Sequence, residues 1–325
     1  MRAVLPAEPG IDAPRLGDWP APVAGAGEVV LEVRATALNR ADLLQIRGRY
    51  DPPAGESRVP GLEAAGVVAS VGPGVAGWRV GERAMALLAG GGQAAAVAVP
   101  AGQLLPIPDA LGFVEAAAVP EAAITSWVNL VEEGGLRAGE RVLLTGATSG
   151  VGTFALQVAR SLGAEVLACG RDLDRLRALE PLGASVTLLF DEDLPARVRA
   201  ATGGGGADLA LDLVGGAGLP KVLASLAPRG RCVLVGLVAG RRAELDLGLL
   251  LTRRLRLVGS VLRSRSREEK AHLVAAFGAH GLERLADGRL APVVAEVYPF
   301  ERIADAYADL ERGGRVGKLV VELPG

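Results

Sequence analysis

The sequence predicts an α/β protein with two domains, one rich in β-strands and one built on a doubly wound parallel sheet. The chain has 325 residues, more than one typical domain holds. Gly and Pro divide its first part into short alternating segments, which is typical of half-buried antiparallel strands. From residue 141 onwards, continuous apolar strands alternate with helices, which is typical of a parallel sheet covered on both faces.

The first domain is predicted from four strands and one helix. The helix covers "NRADLLQIRG" (39–48) and ends at Gly48. The alternating segments predict an antiparallel barrel or sandwich. They are "EVVLEVRATAL" (28–38), "AAGVVASVG" (64–72), "ERAMALLA" (82–89) and "QAAAVAVP" (93–100).

The second domain follows a helical stretch whose longer piece starts at Pro120. Its fourth strand is followed by a predicted helix, "LPKVLASLAPRG" (219–230). Ligands of such sheets bind at the carboxyl ends of the strands. The six strands are "RVLLTG" (141–146), "EVLACG" (165–170), "SVTLLF" (185–190), "ADLALDLVG" (207–215), "RCVLVGL" (231–237) and "LRLVGSVL" (255–262).

The end of the chain is predicted to return to the first domain. A helix around 267–288 and a helix from Glu301 accompany the strand-like segments "APVVAEVYPF" and "GKLVVELPG". We therefore expect the first domain to comprise residues 1–120 and 263–325, and the sheet domain to comprise residues 121–262.

Charge and cysteine usage exclude several classes of partner. Lys and Arg number 35 against 37 Asp and Glu, and only 3% of residues are aromatic, so we expect no nucleic-acid partner. Pro6 interrupts the start of the chain before an apolar stretch can form, so we expect no signal peptide. The later apolar tracts are too short to span a membrane, so we expect no membrane partner. Cys169 and Cys232 lie in short apolar runs, which suits buried thiols in the cytoplasm.

A glycine-rich turn, "LLTGATSGVGTF" (143–154), follows the first strand of the predicted parallel sheet. Gly146, Gly150 and Gly152 would let the backbone approach a pyrophosphate at the start of a helix. Because the turn follows a strand, opens a helix and begins a six-strand repeat, it predicts a dinucleotide site rather than an ordinary turn.

The turn resembles the fingerprint of the short-chain dehydrogenases, but the rest of the chain does not. That family places the turn near the start of the chain and adds a Tyr-x-x-x-Lys pair. Tyr50, Tyr298 and Tyr307 are not followed by lysine at that spacing, and Pro299 is a poor fit to a helix interior.

The chain resembles the medium-chain dehydrogenase/reductase superfamily, and within it the zinc-free, zeta-crystallin-like quinone oxidoreductases, most nearly their tumour-suppressor-inducible subgroup. The resemblance implies a GroES-like β-rich catalytic domain, a Rossmann cofactor domain and a homodimer joined through the edge strand near 255–262. The strings that carry it are "ALNRADLLQIRGRYDPP" (37–53), "PGLEAAGVV" (60–68), "AMALLAGGGQA" (84–94), "AAAVPEA" (116–122), "SGVG" (149–152) and "SVLRSR" (260–265).

No metal site is predicted. Zinc-dependent members of the superfamily carry Gly-His-Glu where this chain has Gly61-Leu62-Glu63, and a Cys ligand where it has Asn39 and its neighbours. Zinc requires a tight cluster of Cys, His or carboxylate ligands. His272 and His280 lie in a distant predicted helix, so they do not complete one.

A site without zinc favours an acceptor that is already electrophilic, such as a quinone. The resemblance implies that Tyr50 contacts the cofactor and lines the substrate cleft, and that the Asn39 amide lies near the nicotinamide. A phenol offers both an aromatic face and an O–H donor. The alternatives are a packing tyrosine in a turn and, for Asn39, a helix N-cap with Asp42 three residues on.

The end of the second sheet strand favours NADPH over NADH. NAD-binding proteins place an acidic residue there, whereas this strand ends in Gly170 followed by Arg171. Arg171 and Arg175 are candidates for binding the 2′-phosphate. Asp172 and Asp174 oppose this interpretation unless they only cap the following helix.

The resemblance assigns further cofactor contacts. It implies reduction of a small quinone by NADPH; the alternatives are reduction of an α,β-unsaturated carbonyl compound, or binding of NADPH with little turnover. For Lys318, an ordinary strand lysine is an equal alternative. The implied contacts are Asn39, Tyr50, Thr125, Thr148, Ser149, Gly150, Val151, Gly152, Phe190, Gly215, Val235, Gly236, Leu237, Val238, Ser260, Val261, Leu262 and Lys318.

Overall fold

The structure, a computed structural model, describes residues 1–8, 10 and 12–324. Its chain divides into two compact units. The first comprises Met1–Ile124 and Leu262–Gly325, and the second comprises Thr125–Val261. The first unit is rich in β-strands and the second contains a parallel sheet flanked by helices. The predicted α/β fold class is confirmed.

The strands of the described residues are β1 (Arg2–Val4), β2 (Leu16–Asp18), β3 (Glu28–Ala37), β4 (Glu63–Val71), β5 (Arg83–Leu87), β6 (Ala96–Pro100), β7 (Leu104–Pro106), β8 (Arg141–Thr145), β9 (Glu165–Gly170), β10 (Val186–Leu189), β11 (Ala207–Asp212), β12 (Leu226–Leu234), β13 (Arg256–Gly259), β14 (Val294–Pro299) and β15 (Lys318–Glu322). The helices are α1 (Arg40–Ile46), α2 (Phe113–Ala117), α3 (Pro120–Trp127), α4 (Gly150–Ser161), α5 (Leu173–Arg177), α6 (Leu194–Ala201), α7 (Leu219–Ala224), α8 (Leu247–Arg253), α9 (Arg267–Ala286) and α10 (Ile303–Arg312).

The main sheet of the first unit has the order β14-β15-β3-β4-β5-β7, and β6 also pairs with β3. All of these pairs are antiparallel except β14 with β15. Along β3, Val29, Leu31 and Val33 alternate into the hydrophobic core. Since β3 runs antiparallel to β4 and β15, the end of β3 and the starts of its two neighbours lie at one edge of the sheet.

The sheet of the second unit has the order β10-β9-β8-β11-β12-β13, and all of its pairs are parallel. Numbered from β8, this is the 3-2-1-4-5-6 order of dinucleotide-binding sheets. Leu143, Leu167 and Ala210 lie in its core. The two cysteines are also fully buried and unpaired, as predicted.

The helix predicted over 219–230 is wrong in its second half. Helix α7 ends at Ala224, and β12 already begins at Leu226. Pro228 cannot continue a helix, because it lacks a backbone N–H and its ring clashes with the preceding turn. Arg229 then adopts the left-handed conformation, with φ of 64°, which the periodicity of apolar residues does not indicate.

Candidate functional site

The glycine-rich turn of the second unit is shaped by close backbone contacts. Gly146, directly after β8, adopts φ of +64°. A Cβ on Gly152 would lie 2.4 Å from the Gly146 carbonyl oxygen and 2.6 Å from that of Ala147, so only glycine fits there. Ser149 caps helix α4, its Oγ accepting a hydrogen bond from the Gly152 N–H at 3.0 Å. The turn therefore leads into a twelve-residue helix whose N-terminus suits an anion such as a pyrophosphate.

Most predicted cofactor residues of the second unit follow the carboxyl ends of its strands. Because all six strands are parallel, these ends lie at one edge of the sheet. Thr125 and Arg175 are exceptions. Thr125 is buried in α3, where its carbonyl accepts a hydrogen bond from the Asn129 side chain at 2.7 Å, and Arg175 lies in α5. The residues at the edge are Thr148, Ser149, Gly150, Val151, Gly152, Gly170, Arg171, Phe190, Gly215, Val235, Gly236, Leu237, Val238, Ser260 and Val261.

A buried carboxylate that the sequence analysis missed organises this edge. Asp212, at the end of β11, is 1% exposed. Its Oδ1 accepts hydrogen bonds from Thr145 Oγ1 at 2.6 Å, the Val214 N–H at 3.0 Å and the Gly215 N–H at 3.1 Å. Thr145 Oγ1 in turn accepts from the Leu213 N–H at 3.1 Å. Asp212 thus fixes the loop that contains the candidate Gly215.

The end of β9 carries two arginines in different situations. Arg175 forms an ion pair with Asp172 at 3.0 Å, and Asp172 also caps helix α5. Arg171 is exposed and forms no ion pair within the described residues. Its guanidinium is therefore free to bind an anion beside Gly170. Phe190 lies next to this position, because its N–H donates to the Gly170 carbonyl at 2.7 Å.

In the first unit, Asn39, Glu63 and Lys318 form a hydrogen-bonded cluster in which Glu63 and Lys318 are buried and Asn39 is half-buried. The Asn39 amide donates to Glu63 Oε1 at 2.9 Å, and the Lys318 ammonium donates to Asn39 Oδ1 at 2.6 Å. Lys318 also forms an ion pair with Glu63. The Glu63 side chain is fully buried, and its Oε2 accepts the N–H of Glu121 at 2.9 Å. Every oxygen of this carboxylate thus has a donor.

Two further carboxyl groups near this cluster hold their protons more tightly than usual. Burial raises the pKa of Asp42 to about 6, although the Asn39 N–H at 2.8 Å and the Gly61 N–H at 3.1 Å stabilise its charged form. Burial and the adjacent Glu63 charge raise the pKa of Glu121 to about 8. Glu121 is therefore largely a neutral acid at pH 7.

Tyr50 lies half-buried in the loop after α1, and Arg263 holds it in place. The Arg263 guanidinium lies over the phenol ring, 4.8 Å from its centroid. Arg263 Nη1 donates to the Tyr50 carbonyl at 3.0 Å. This arginine is 4% exposed although it carries a charge.

Comparison with known proteins identifies the family. Residues 25–109 match the model of the alcohol dehydrogenase GroES-like domain, and residues 150–278 match that of the zinc-binding dehydrogenases. The synaptic vesicle membrane protein VAT-1 homolog of Rattus norvegicus is 30% identical over 97% of this chain and 82% of its own length. The chain belongs to the medium-chain dehydrogenase/reductase family. The predicted family resemblance is confirmed.

Solved structures of other medium-chain dehydrogenase/reductases share the whole fold. One is the quinone oxidoreductase from Thermus thermophilus, also solved in complex with NADPH, which is 36% identical with a TM-score of 0.85 and covers 99% of this chain and 100% of its own. Another is an NAD-dependent alcohol dehydrogenase, which is 31% identical with a TM-score of 0.87 and covers both chains completely. These neighbours thus include one protein solved with NADPH and one described as NAD-dependent.

The residues at the position of the family's zinc site are not suited to zinc. Leu62 is buried and offers no lone pair, and Asn39 is engaged with Glu63 and Lys318. Across the described residues, no group of three or more His, Cys, Asp or Glu side chains could hold a metal ion.

Within the same residues, no helix combines the length and apolar content that crossing a membrane requires.

The structure brings some candidates of the first unit together and adds new ones. Asn39 and Lys318 are in direct contact, whereas neither makes a hydrogen bond with Tyr50. Glu63, Glu121 and Arg263 were missed, although each lies inside a string that resembles the family. What distinguishes these three positions is that a charged side chain is buried there, and the sequence alone does not show burial. Leu262 is also buried in this unit.

Proposed function

We propose that the protein is an NADPH-dependent, zinc-independent quinone oxidoreductase that transfers hydride from the nicotinamide to a quinone. The observation that carries this proposal is the cluster of Asn39, Glu63 and Lys318 beside Leu62. The cluster offers no electron-pair donor that is free to bind a Lewis-acidic metal, so it cannot activate a poor hydride acceptor in that way. A quinone needs no such activation, because taking up a hydride and a proton on its two oxygens makes its ring aromatic.

The preference for NADPH is supported by Arg171. Its exposed guanidinium, with no ion-pair partner within the described residues, follows Gly170 at the position where NAD-binding sheets carry an acidic residue. The turn at Gly146 and Gly152 suits the pyrophosphate. The Thermus thermophilus relative solved with NADPH supports the same assignment.

The first unit is proposed to act on the acceptor. Tyr50 offers a phenol O–H and an aromatic face, and Asn39 is held rigidly by its two buried partners. We assign Tyr50 to donating a proton to the acceptor oxygen and Asn39 to positioning the nicotinamide amide. We also assign Thr125, Leu262 and Lys318 to the cofactor or its surroundings. The same assignment holds for the other predicted residues that lie at the carboxyl ends of the strands of the second sheet.

The protein is proposed to work as a homodimer in the cytoplasm. Among the strands of the described residues, β13 pairs with β12 alone and is the outermost strand of the second sheet. Leu251, Leu257 and Val261 are exposed in and near this edge, at 77%, 38% and 51%. Apolar side chains on an unpaired edge favour pairing with a second copy. The two buried, unpaired cysteines suit a reducing compartment.

The test is the oxidation of NADPH and NADH by the purified protein, measured separately with a small ortho-quinone and with a conjugated enone. Quinone-dependent oxidation that prefers NADPH supports the proposal. Faster turnover of the enone favours the alternative, an enone reductase with the same site. Binding of NADPH without turnover of either acceptor favours a binding protein.

A further inference from the structure

Arg263 is a buried charge that connects three separate segments of the first unit. Its Nε donates to the Ala89 carbonyl at 2.8 Å, its Nη2 to Gln45 Oε1 at 2.5 Å, and its Nη1 to the Tyr50 carbonyl at 3.0 Å. These acceptors lie after β5, in α1 and in the loop beyond α1. One side chain thus fixes the position of the Tyr50 backbone relative to two rigid elements.

All three hydrogen-bond partners of Arg263 are neutral. Within the described residues, no carboxylate forms an ion pair with its guanidinium, although the side chain is 4% exposed. A buried cation without an anionic partner is costly, and a neutral side chain could satisfy the same acceptors at lower cost. The face of the Tyr50 ring also lies close to the charge, 4.8 Å from the guanidinium carbon.

We propose that Arg263 is a positioning residue for Tyr50, which holds the phenol in place and stabilises the phenolate that remains when Tyr50 gives up its proton. This inference rests on the proposed role of Tyr50 in quinone reduction. Arg263 and Tyr50 lie in the same unit, 213 positions apart in the chain.

Electrostatics at Tyr50 support this role. Burial raises the pKa of Tyr50, the positive charge of Arg263 lowers it, and Glu121 raises it. Tyr50, Asp42, Glu121 and Asp51 are the groups that raise the pKa of Arg263, whereas burial lowers it. A neutral Glu121 does not repel the phenolate, so below about pH 8 Arg263 is the charged group that acts on it.

With a quinone as acceptor, Tyr50 supplies the proton that completes the product. After the hydride has bonded to one carbonyl oxygen of the acceptor, the other oxygen carries a negative charge. The O–H bond of Tyr50 breaks, its proton bonds to that oxygen, and the hydroquinone is complete. The electron pair of the broken bond stays on the Tyr50 oxygen as a phenolate, which later takes a proton from water.

The first test titrates Tyr50 in the protein without cofactor or substrate, by the ultraviolet absorbance of tyrosinate. The chain has 3 tyrosines, so subtracting the Tyr50→Phe variant isolates Tyr50. We expect Arg263→Gln to raise the pKa of Tyr50 by about one unit, from the loss of a charge at this distance. Arg267→Gln removes a neighbouring, exposed arginine paired with Glu28 and Glu56, and is expected to leave it unchanged. An unchanged pKa in Arg263→Gln overturns the proposal.

The second test uses Arg263→Lys, which keeps the charge but not the planar three-way contact. If the proposal holds, its Tyr50 pKa lies between those of the wild type and Arg263→Gln, and kcat falls more than KM rises. If Arg263→Lys has the wild-type kcat and the wild-type Tyr50 pKa, the positioning role is contradicted. If Arg263→Gln does not fold, Arg263→Lys alone provides the test. If the wild type consumes no NADPH with any quinone, the proposed function fails while the titration still decides whether Arg263 acts on Tyr50.

Discussion

The ammonium group of Lys318 is hydrogen-bonded at 2.6 Å to the side-chain oxygen of Asn39, 279 residues earlier in the chain. The same ammonium neutralises Glu63, which donors surround on both oxygens. This contact ties the first residue of β15 to the end of β3 and the start of β4. The C-terminal strand therefore completes the polar cluster that we assign to the functional site.

Replacing Lys318 by Met is expected to destabilise the fold strongly. The variant leaves the Glu63 carboxylate buried without its cation, which typically costs about 3–5 kcal/mol. Urea unfolding measures the loss. The double variant Lys318→Met/Glu63→Gln removes both charges and should recover most of it. Arg302→Met, which breaks an exposed pair with Asp305, should change stability by less than about 1 kcal/mol. A double variant no more stable than Lys318→Met contradicts this account.

The raised pKa of Glu121 predicts that the folded protein loses stability as the pH rises towards 8. The folded state keeps its proton up to about pH 8, whereas the unfolded state releases it near the ordinary value of 4.5. Unfolding between these values releases a proton, so the free energy of unfolding falls with pH, by at most about 1.4 kcal/mol per pH unit for this group. Asp42 acts in the same direction up to about pH 6.

The variant Glu121→Gln isolates this effect, since it cannot ionise. We expect its free energy of unfolding to fall less steeply than that of the wild type between pH 6 and 8, in urea titrations at a series of pH values. Burial lowers the pKa of His280, so below its ordinary titration range this residue makes the free energy of unfolding rise with pH. His280 is present in both proteins, so its contribution cancels in the difference. Parallel pH curves for the two proteins would show that Glu121 is ionised throughout.

Gly152→Ala is expected to abolish dinucleotide binding and to destabilise the second unit. Its Cβ would meet backbone oxygen 2.4 Å away, closer than any real contact, so the turn must open. Gly25→Ala adds the same methyl group in the first unit, where only the end of the flexible Glu28 side chain lies within 4 Å, and is the control. Fluorescence titration with NADPH and thermal melting distinguish the two. Equal NADPH affinity in Gly152→Ala and wild type would refute the placement of the pyrophosphate.

Arg171→Glu is expected to weaken NADPH binding by about tenfold to a hundredfold, because a charge-assisted contact to the 2′-phosphate is lost and a repulsion is added. NADH affinity should change little. Arg177→Glu is the control, since Arg177 is exposed in α5 and pairs with Asp174. Calorimetric titration with each nucleotide measures both affinities. A similar loss for NADPH in both variants, or for both nucleotides in Arg171→Glu, is incompatible with a specific phosphate contact.

The fold was largely predictable because its signals are local. Periodicity and glycine placement located β8, α4 and β9, and the repeat of strand and helix indicated a parallel sheet. Local signals failed at Arg229, where a non-glycine residue takes a left-handed turn and β12 starts early. The dinucleotide turn was predictable for the same reason, since Gly146 and Gly152 lie six residues apart.

The polar cluster was not predictable to the same extent. Lys318 and Glu63 are 255 residues apart, and Arg263 and Ala89 are 174 residues apart. Only the folded chain shows that these side chains are buried and share partners. Glu63 in "GLE" and Arg263 in "SVLRSR" look like ordinary surface charges in the sequence, because charged residues are mostly exposed.

The most direct measurement of the central claim is a single-turnover reaction without oxygen, in which metal-depleted protein loaded with NADPH is mixed with an excess of a small ortho-quinone. Nicotinamide absorbance and hydroquinone formation are followed together. We expect rapid oxidation of one bound NADPH for each hydroquinone formed, at a rate that a strong chelator does not change. Bound NADPH that stays reduced in the presence of the quinone, or oxidation that requires added zinc, would contradict it.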